Sequence, residues 1–331
     1  MNVQSVAMSG KPTVISTFAG CGGSSLGYKW AGFEELLAIE WDQNAVDTFK
    51  LNFPDVPVWQ KDIREVIGKD ILEFTGLKPG ELDVLDGSPP CQGFSTIGKR
   101  NVSDERNDLS YEYIRLIKEL QPKVFVMENV SGMVKGNMKG KFKEIMIALK
   151  ETGYNVKCKL MNSMYYEVPQ SRERLIFIGA KDKEPIYPEP LKNIITMKDV
   201  LNKDGYIEYR ANYSKNKVSI QKSAFTKPCL TITKTNSWKT YIEEQKNEHF
   251  NNQWQTAKRP SYTLGVVPTL KVRNKEHIER QLTIDEIKIL STFPKEFKFS
   301  GSYNQQWSRI GNAVMPKFME HIAITIKDKI L

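Results

Sequence analysis

The sequence predicts an α/β fold: a Rossmann-like sheet with helices on both faces, and a smaller irregular domain beside it. Three observations lead there. In the first half, short apolar runs alternate with amphipathic stretches, the pattern of a parallel sheet with crossover helices. Each run ends in a Gly, Asp, Glu or Pro cluster, where an open α/β sheet places its ligands. From about Lys181 to about Asn274 the regularity gives way to a polar tract of Asn, Lys and Thr with scattered aromatics.

The expected strands are residues 13–18, 36–40, 56–60, 82–86 and 124–128, followed by 156–161 and 175–178. Residues 111–120 and 142–150 carry apolar side chains at helical spacing, and that period returns at 283–290 and 316–330. At 331 residues the chain can bury a large core. No apolar run is long enough to span a bilayer, and the opening residues lack a signal-peptide pattern, so a cytoplasmic protein without membrane contact is expected.

The 48 Lys and Arg against 39 Asp and Glu leave a net charge of +9. Such a balance favours a polyanionic partner, because neutralising phosphates releases counterions; a lysine-rich solubility surface gives the same sum. The four cysteines (Cys21, Cys91, Cys158, Cys229) and three histidines (His249, His277, His321) show no metal-ligand spacing. Neither a metal site nor a disulfide framework is expected.

Four segments carry chemistry. Phe18-Ala19-Gly20-Cys21-Gly22-Gly23 follows the first strand and opens a helix, with glycines that permit a tight turn and close approach of a ligand. Glu40, ending the second strand, can accept ribose hydroxyls. Together they indicate an adenosine-containing cofactor, or simply a structural turn. In Asp86-Gly87-Ser88-Pro89-Pro90-Cys91-Gln92, the thiol sits on a rigid turn at the ligand edge. It is a nucleophile if its pKa is lowered or a proton acceptor is near, and otherwise a buried structural cysteine. Glu128-Asn129-Val130 ends the fifth strand. The Glu128 carboxyl there is a proton donor if desolvated, or else a helix cap or ion-pair partner. In Gln170-Ser171-Arg172-Glu173-Arg174, alternation in extended chain turns Arg172 and Arg174 the same way. Paired guanidiniums suit a phosphate or a carbonyl oxygen, although a solvated charge run reads alike.

In this order and at these separations, the four segments resemble those of the cytosine-5 DNA methyltransferases of bacterial or phage type. Glu40-Trp41, Lys61-Asp62-Ile63 and Asp104–Leu109 extend the resemblance, as do Arg280-Gln281-Leu282-Thr283 through Phe293-Pro294 and Gly311-Asn312-Ala313-Val314. It covers roughly residues 13–180 and 280–320. One departure is Asp285, where the family often carries an arginine.

The resemblance implies transfer of a methyl group from S-adenosylmethionine to carbon 5 of a flipped-out cytosine in double-stranded DNA. Cys91 would add to C6, Glu128 would bond N3 and the exocyclic amine, Arg174 would bind O2, and Arg172 would hold the neighbouring loop. The implied donor pocket is Phe18, Gly20, Gly22, Glu40, Trp41, Asp62, Ile63, Pro89, Leu109, Asn312 and Val314. Ser95, Lys99, Arg100 and Arg106, in the loop after the nucleophile, would contact the DNA backbone. The implied domains are a catalytic and cofactor-binding unit at 1–184, a target-recognition unit with its bracing segment at 185–299, and a catalytic return at 300–331. A monomer is expected, acting as the modification enzyme of a restriction-modification system or as a solitary methylase. Three other readings compete: a tRNA cytosine methyltransferase, a nicotinamide oxidoreductase, and a silent DNA-binding relative. The oxidoreductase reading leaves Cys91 and the arginines without a role, and intact Cys91 and Glu128 argue against the silent relative.

Overall fold

Seven strands make the central sheet. The computed structural model describes residues 10–90, 109–134, 139–214, 217–234, 238–243 and 277–331. The chain runs through β1 (Thr13–Thr17), α1 (Gly23–Trp30), β2 (Glu34–Glu40), α2 (Gln43–Asn52), β3 (Val58–Gln60), α3 (Gly68–Thr75) and β4 (Val84–Gly87). Then come α4 (Leu109–Leu120), β5 (Val124–Val130), α5 (Lys139–Lys150), β6 (Asn155–Asn162), the two-residue β7 (Gln170–Ser171) and β8 (Glu173–Ala180). The strand order is β3-β2-β1-β4-β5-β8-β6.

The first five strands are parallel, as expected from the alternation of apolar runs and helices. One strand departs from that expectation: β8 is antiparallel to both β5 and β6, so β6 runs with the first five and β8 alone is reversed. The reason is local: the stretch between β6 and β8 holds no crossover helix, and a parallel return needs a connection of about a dozen residues or more.

The strands are continuous apolar runs because both faces are covered. Ile15, Leu37, Leu85, Phe125 and Phe177 pack on the side of α4 and α5, against Tyr113, Ile117, Leu120 and Leu149. Val14, Val84, Val126 and Ile178 face the other way, toward α1 and α9 (Pro316–Lys329). Phe318, Met319, Ile322, Ala323 and Ile326 recur on α9 at helical spacing and are all buried. Pro316 opens that helix, where a missing N–H removes no intrahelical bond.

The polar middle of the chain is more regular than its sequence suggests. After α6 (Met197–Leu201), β9 (Asp204–Ser214), β10 (Lys217–Ala224), β12 (Trp238–Glu243) and β13 (His277–Arg280) form an antiparallel sheet in the order β10-β9-β12-β13. The short β11 (Cys229–Leu230) leaves that sheet and pairs instead with β7. Two more helices, α7 (Ile284–Leu290) and α8 (Tyr303–Asn312), lie between this sheet and the end of the chain. A third core joins the parts: Phe49 and Phe53 of α2 meet Ile207, Cys229, Ile232, Ile287, Phe297, Trp307 and Ile310.

Beneath α1 the core contains two carboxyl groups. Glu35 accepts a hydrogen bond from Ser25 Oγ (2.9 Å), and Asp86 accepts one from the Tyr28 hydroxyl (3.3 Å). Burial pushes Glu35 up to about 7. Burial, reinforced by the charge of Glu35, pushes Asp86 up to about 8, against the hydrogen bonds of Ser24 and Tyr28. Both acids titrate near 4 when exposed, so between about pH 4 and pH 8 the native state binds more protons than the unfolded chain. Their contribution is therefore greatest in acid and is lost as the pH rises through that window. We expect Asp86→Asn to be more stable than the wild type at pH 8, by a few kcal/mol at most, and equal to it near pH 4. Thermal unfolding across this range checks the sign, and a gap that does not vary with pH would refute it.

Candidate active site

The site assembles where the parallel strands end. After β1 the backbone turns sharply through left-handed conformations at Phe18 (φ 53°), Gly20 (φ 56°) and Gly22 (φ 91°). Among the described residues, no heavy atom lies within 4 Å of where a Cβ on Gly20 would stand. Gly23 is the opposite case: a Cβ there would come within 2.2 Å of the Val314 carbonyl oxygen, so only glycine lets the α8–α9 junction pack against this turn.

Glu40 fixes the turn to the end of β2. Its Oε2 accepts the Gly20 N–H (2.8 Å), and its Oε1 accepts the N–H groups of Trp41 and Asp42 (2.9 Å each). Burial raises its pKa, and these three backbone donors oppose the rise. Asp42 caps α2 through Ala45 N–H (2.9 Å) and accepts from Arg309 Nη2 of α8 (3.1 Å). Beyond β3, Asp62 accepts from the backbone N–H and side chain of Arg64 (2.9–3.1 Å), whose bonds hold the carboxyl below its usual range. Ile63 is buried beside it, whereas the Trp41 ring is 71% exposed. Leu109, the first residue of α4, packs against the core, Val314 is buried and Asn312 is exposed.

The arrangement fits an adenosine-containing donor. No described residue covers Gly20, which leaves its backbone approachable from among them. Glu40, with three of about four acceptor positions filled, retains capacity for a ribose hydroxyl. The exposed indole of Trp41 offers a flat apolar face for a base.

At the next strand ends stand the groups proposed for the target base. Pro89 is buried after β4, and Asn129 Nδ2 reaches to 3.5 Å from its carbonyl oxygen. Asn129 Oδ1 also accepts the Val130 N–H (2.8 Å). Cys91, Ser95, Lys99, Arg100 and Arg106 lie outside the described residues. Because β8 is antiparallel, its start lies beside the end of β5: Arg174 is in register with Val130, and Ile176 with Glu128. Arg174 Nε lies 2.6 Å from Glu128 Oε1, with both side chains nearly buried. Of the readings open for Glu128, the ion-pair partner is the one this geometry takes.

Burial holds Arg172 well below its ordinary value, and the nearby Arg174 charge adds to that. Burial is also the main influence lowering Arg174, opposed by Glu128. Arg172 is 3% exposed and donates from Nη1 to the Ile232 carbonyl (3.0 Å), so it is no solvated charge run. Sequence reasoning missed Asn129, Gln170, Ile232 and Trp307. Ile232 is engaged through its backbone, which leaves no trace in residue type.

Asp285 resolves simply. It is exposed and faces Lys288 of its own helix (3.4 Å). The bracing role falls to its neighbour Glu286, which accepts from Arg280 Nη1 (2.7 Å), from Lys203 Nζ beside β9 (3.1 Å) and from the Thr283 N–H (2.9 Å).

This fold and site define a Rossmann-like methyltransferase. A family profile, C-5 cytosine-specific DNA methylase, matches residues 12–328. The chain belongs to that family and is a DNA (cytosine-5-)-methyltransferase. It is 34% identical to the Type II methyltransferase M1.HphI of Haemophilus parahaemolyticus, covering 94% of this chain and 85% of that one. It is 31% identical to M.NgoPII of Neisseria gonorrhoeae, covering 95% of each. A DNA modification methyltransferase encoded within an E. coli prophage shares the fold with a TM-score of 0.65 and 24% identity, covering 96% of this chain and 99% of that one. The Spodoptera frugiperda DNMT2 variant structure shares it at 0.63 and 16%, covering 94% and 98%. Enzymes of this family take their methyl group from S-adenosylmethionine. Among the described residues no helix is long and apolar enough to cross a membrane.

The Glu286 network makes an acid-stability prediction. Its hydrogen bonds to Arg280, Thr283 and Lys203 outweigh burial and hold the carboxyl at about 2, against 4.5 for a free glutamate. A depressed native pKa gives stability that is present above about pH 4.5 and disappears as the pH falls toward 2. Glu286→Gln should cost about 1–2 kcal/mol at pH 7, after allowing for solvent screening, and little at pH 2.5. Denaturant titrations at the two pH values measure this, and an equal loss at both refutes it.

Proposed function

We propose that Cys91, Glu128 and Arg174 carry the reaction, and that residues 185–299 choose the DNA sequence. The observation that supports it is the nearly buried Glu128–Arg174 pair at the strand edge from which Pro89-Pro90 leads into Cys91. A flipped cytosine offers N3, N4 and O2 to that edge, where a carboxyl group and a guanidinium already stand side by side. Flipping costs a few kcal/mol of stacking and pairing. Glu128 then engages N3 and the exocyclic amine, and Arg174 turns its donors to O2, so their mutual pairing is exchanged for pairing with the base. These contacts offset the charge that develops as the Cys91 thiolate adds to C6. Asn129 steadies the turn before the thiol through Pro89.

Gly20, Gly22, Glu40, Trp41, Asp62, Ile63, Pro89, Leu109, Asn312 and Val314 would hold S-adenosylmethionine, with Phe18 at the turn. When bound, the donor supplies an electrophilic methyl group to carbon 5. Arg172 holds the segment around Ile232 in place and adds a second positive charge near the base and its phosphate. Ser95, Lys99, Arg100 and Arg106 are assigned to the DNA backbone, and residues 300–331 to completion of the catalytic unit begun by 1–184. The enzyme acts as a monomer on double-stranded DNA in the cytoplasm. Its relatives named Type II methyltransferases favour the modification half of a restriction-modification pair.

The test is a covalent trap. DNA carrying 5-fluorocytosine at the target blocks the final elimination, because C5 then bears fluorine where a proton must leave. The wild type should form a denaturation-resistant adduct with such DNA, and Cys91→Ser should form none while binding the donor with unchanged affinity. Turnover by the serine variant at more than about a hundredth of the wild-type rate, a loss of under about 3 kcal/mol in barrier terms, overturns the assignment.

A further inference from the structure

The residues between the second sheet and α8 are held in an unusual way. From Cys229 to Thr233 the chain takes its partners from the segments that carry the active site. The Cys229 N–H donates to the Pro169 carbonyl (2.9 Å), and the Thr231 hydroxyl to the Ser171 carbonyl (2.9 Å). Ile232 is fully buried, and side chains satisfy both of its backbone groups: its N–H donates to Gln170 Oε1 (3.1 Å), and its carbonyl accepts from Arg172 (3.0 Å). The Thr233 carbonyl accepts the indole N–H of Trp307 (2.8 Å). Gly311, one turn along α8, leaves no room for a Cβ, which would fall 2.5 Å from the Thr233 carbonyl oxygen.

We propose that Cys229–Thr233 is a strut that couples the target-reading sheet to the base-holding pair, with Gln170 and Trp307 as its positioning residues. The inference rests on the reading of Glu128, Arg174 and residues 185–299 given above. The second sheet cannot shift Ile232 without moving Gln170 and Arg172, and Arg172 is two residues from Arg174. Nor can it shift Thr233 without moving Trp307 and α8. Gln170 itself is wedged, its Nε2 lying 3.4 Å from Ser291 Oγ and 3.5 Å from the Leu290 carbonyl at the end of α7. The side chains of Gln170 and Arg172 thus convert the position of a backbone segment into the position of a guanidinium. Binding of the correct sequence on one side would register on the other as alignment of Arg174 with the cytosine.

Trp307→Phe removes the indole N–H and keeps an aromatic ring. Gln170→Met keeps the shape and removes the acceptor for Ile232. Losing one buried hydrogen bond should lower the single-turnover rate at the target site roughly 10-fold. The rate ratio between the target and a site altered at one base pair should fall as well. Donor affinity, measured by calorimetry, should stay the same. If Trp307→Phe fails to fold, Gln170→Met carries the test. Unchanged rate and ratio overturn the strut, and so does a loss shared equally by donor binding, since that marks a purely structural role. Glu128→Gln serves as control. Wild-type turnover by that variant overturns the underlying reading and the strut with it, whereas a silent strut variant beside an inactive Glu128→Gln overturns the strut alone.

Discussion

The antiparallel pairing of β8 with β5 is the constraint on which the site depends. A parallel strand in that place would enter the sheet at the far edge, carrying its leading arginines away from the ligand side. Reversal puts the start of β8 beside the end of β5, with Arg174 against Val130 and within 2.6 Å of Glu128. One topological choice, imposed by a connection without a helix, therefore brings a guanidinium to the edge where the parallel strands already present a carboxyl group, a proline turn and a glycine turn.

Burial gives this pairing its chemical character. Arg172 and Arg174 are both withdrawn from water, and among the described residues Glu128 is the carboxylate that stands near them. Desolvated cations are costly unless they find acceptors, so this cluster has unmet demand for oxygen atoms. A carbonyl oxygen entering from solvent would meet that demand as Arg174 exchanges its contact with Glu128 for it, at a strand edge where both groups already stand. The donor turn follows a different rule. There Glu40 is held by three backbone N–H groups rather than by a cation. Neutral donors leave the carboxylate able to accept a further hydroxyl without breaking an ion pair.

The sequence made the first five strands legible because each is a short, mainly apolar run ending in a Gly, Asp, Glu or Pro cluster, and few other arrangements bury both faces. It did not reveal the direction of β8, since Leu175-Ile176-Phe177-Ile178 would be equally apolar in either sense. The second sheet was hidden for another reason. Stretches such as Lys217–Ala224 are too polar to announce a buried strand, although Val218 and Ile220 do alternate with polar residues. Among the candidate site residues, Glu40, Glu128 and Arg174 were readable because their charges stand at strand ends. Ile232 and Thr233 were not, because their backbone atoms make the contacts, and any residue type supplies those.

Asp285 shows why a departure from a family pattern need not disturb the function it seems to touch. Its carboxylate is exposed and neutralised within its own helix by Lys288, while the adjacent Glu286 faces inward to Arg280 and Lys203. Helical geometry turns successive side chains by about 100°, so one residue can answer to solvent while the next ties the two ends of one sheet together. The link that matters runs from Lys203, at the entry to β9, through Glu286 to Arg280, at the exit of β13. Entry and exit of the second sheet are thereby fastened to one carboxylate on α7. The Cys229–Thr233 segment is fastened separately to β7 and α8. With its ends clamped at one point and its middle at another, the sheet has a defined attitude toward the strand edge. If the second sheet reads DNA, as proposed, that fixed attitude is what lets its contacts position a single base over Glu128 and Arg174.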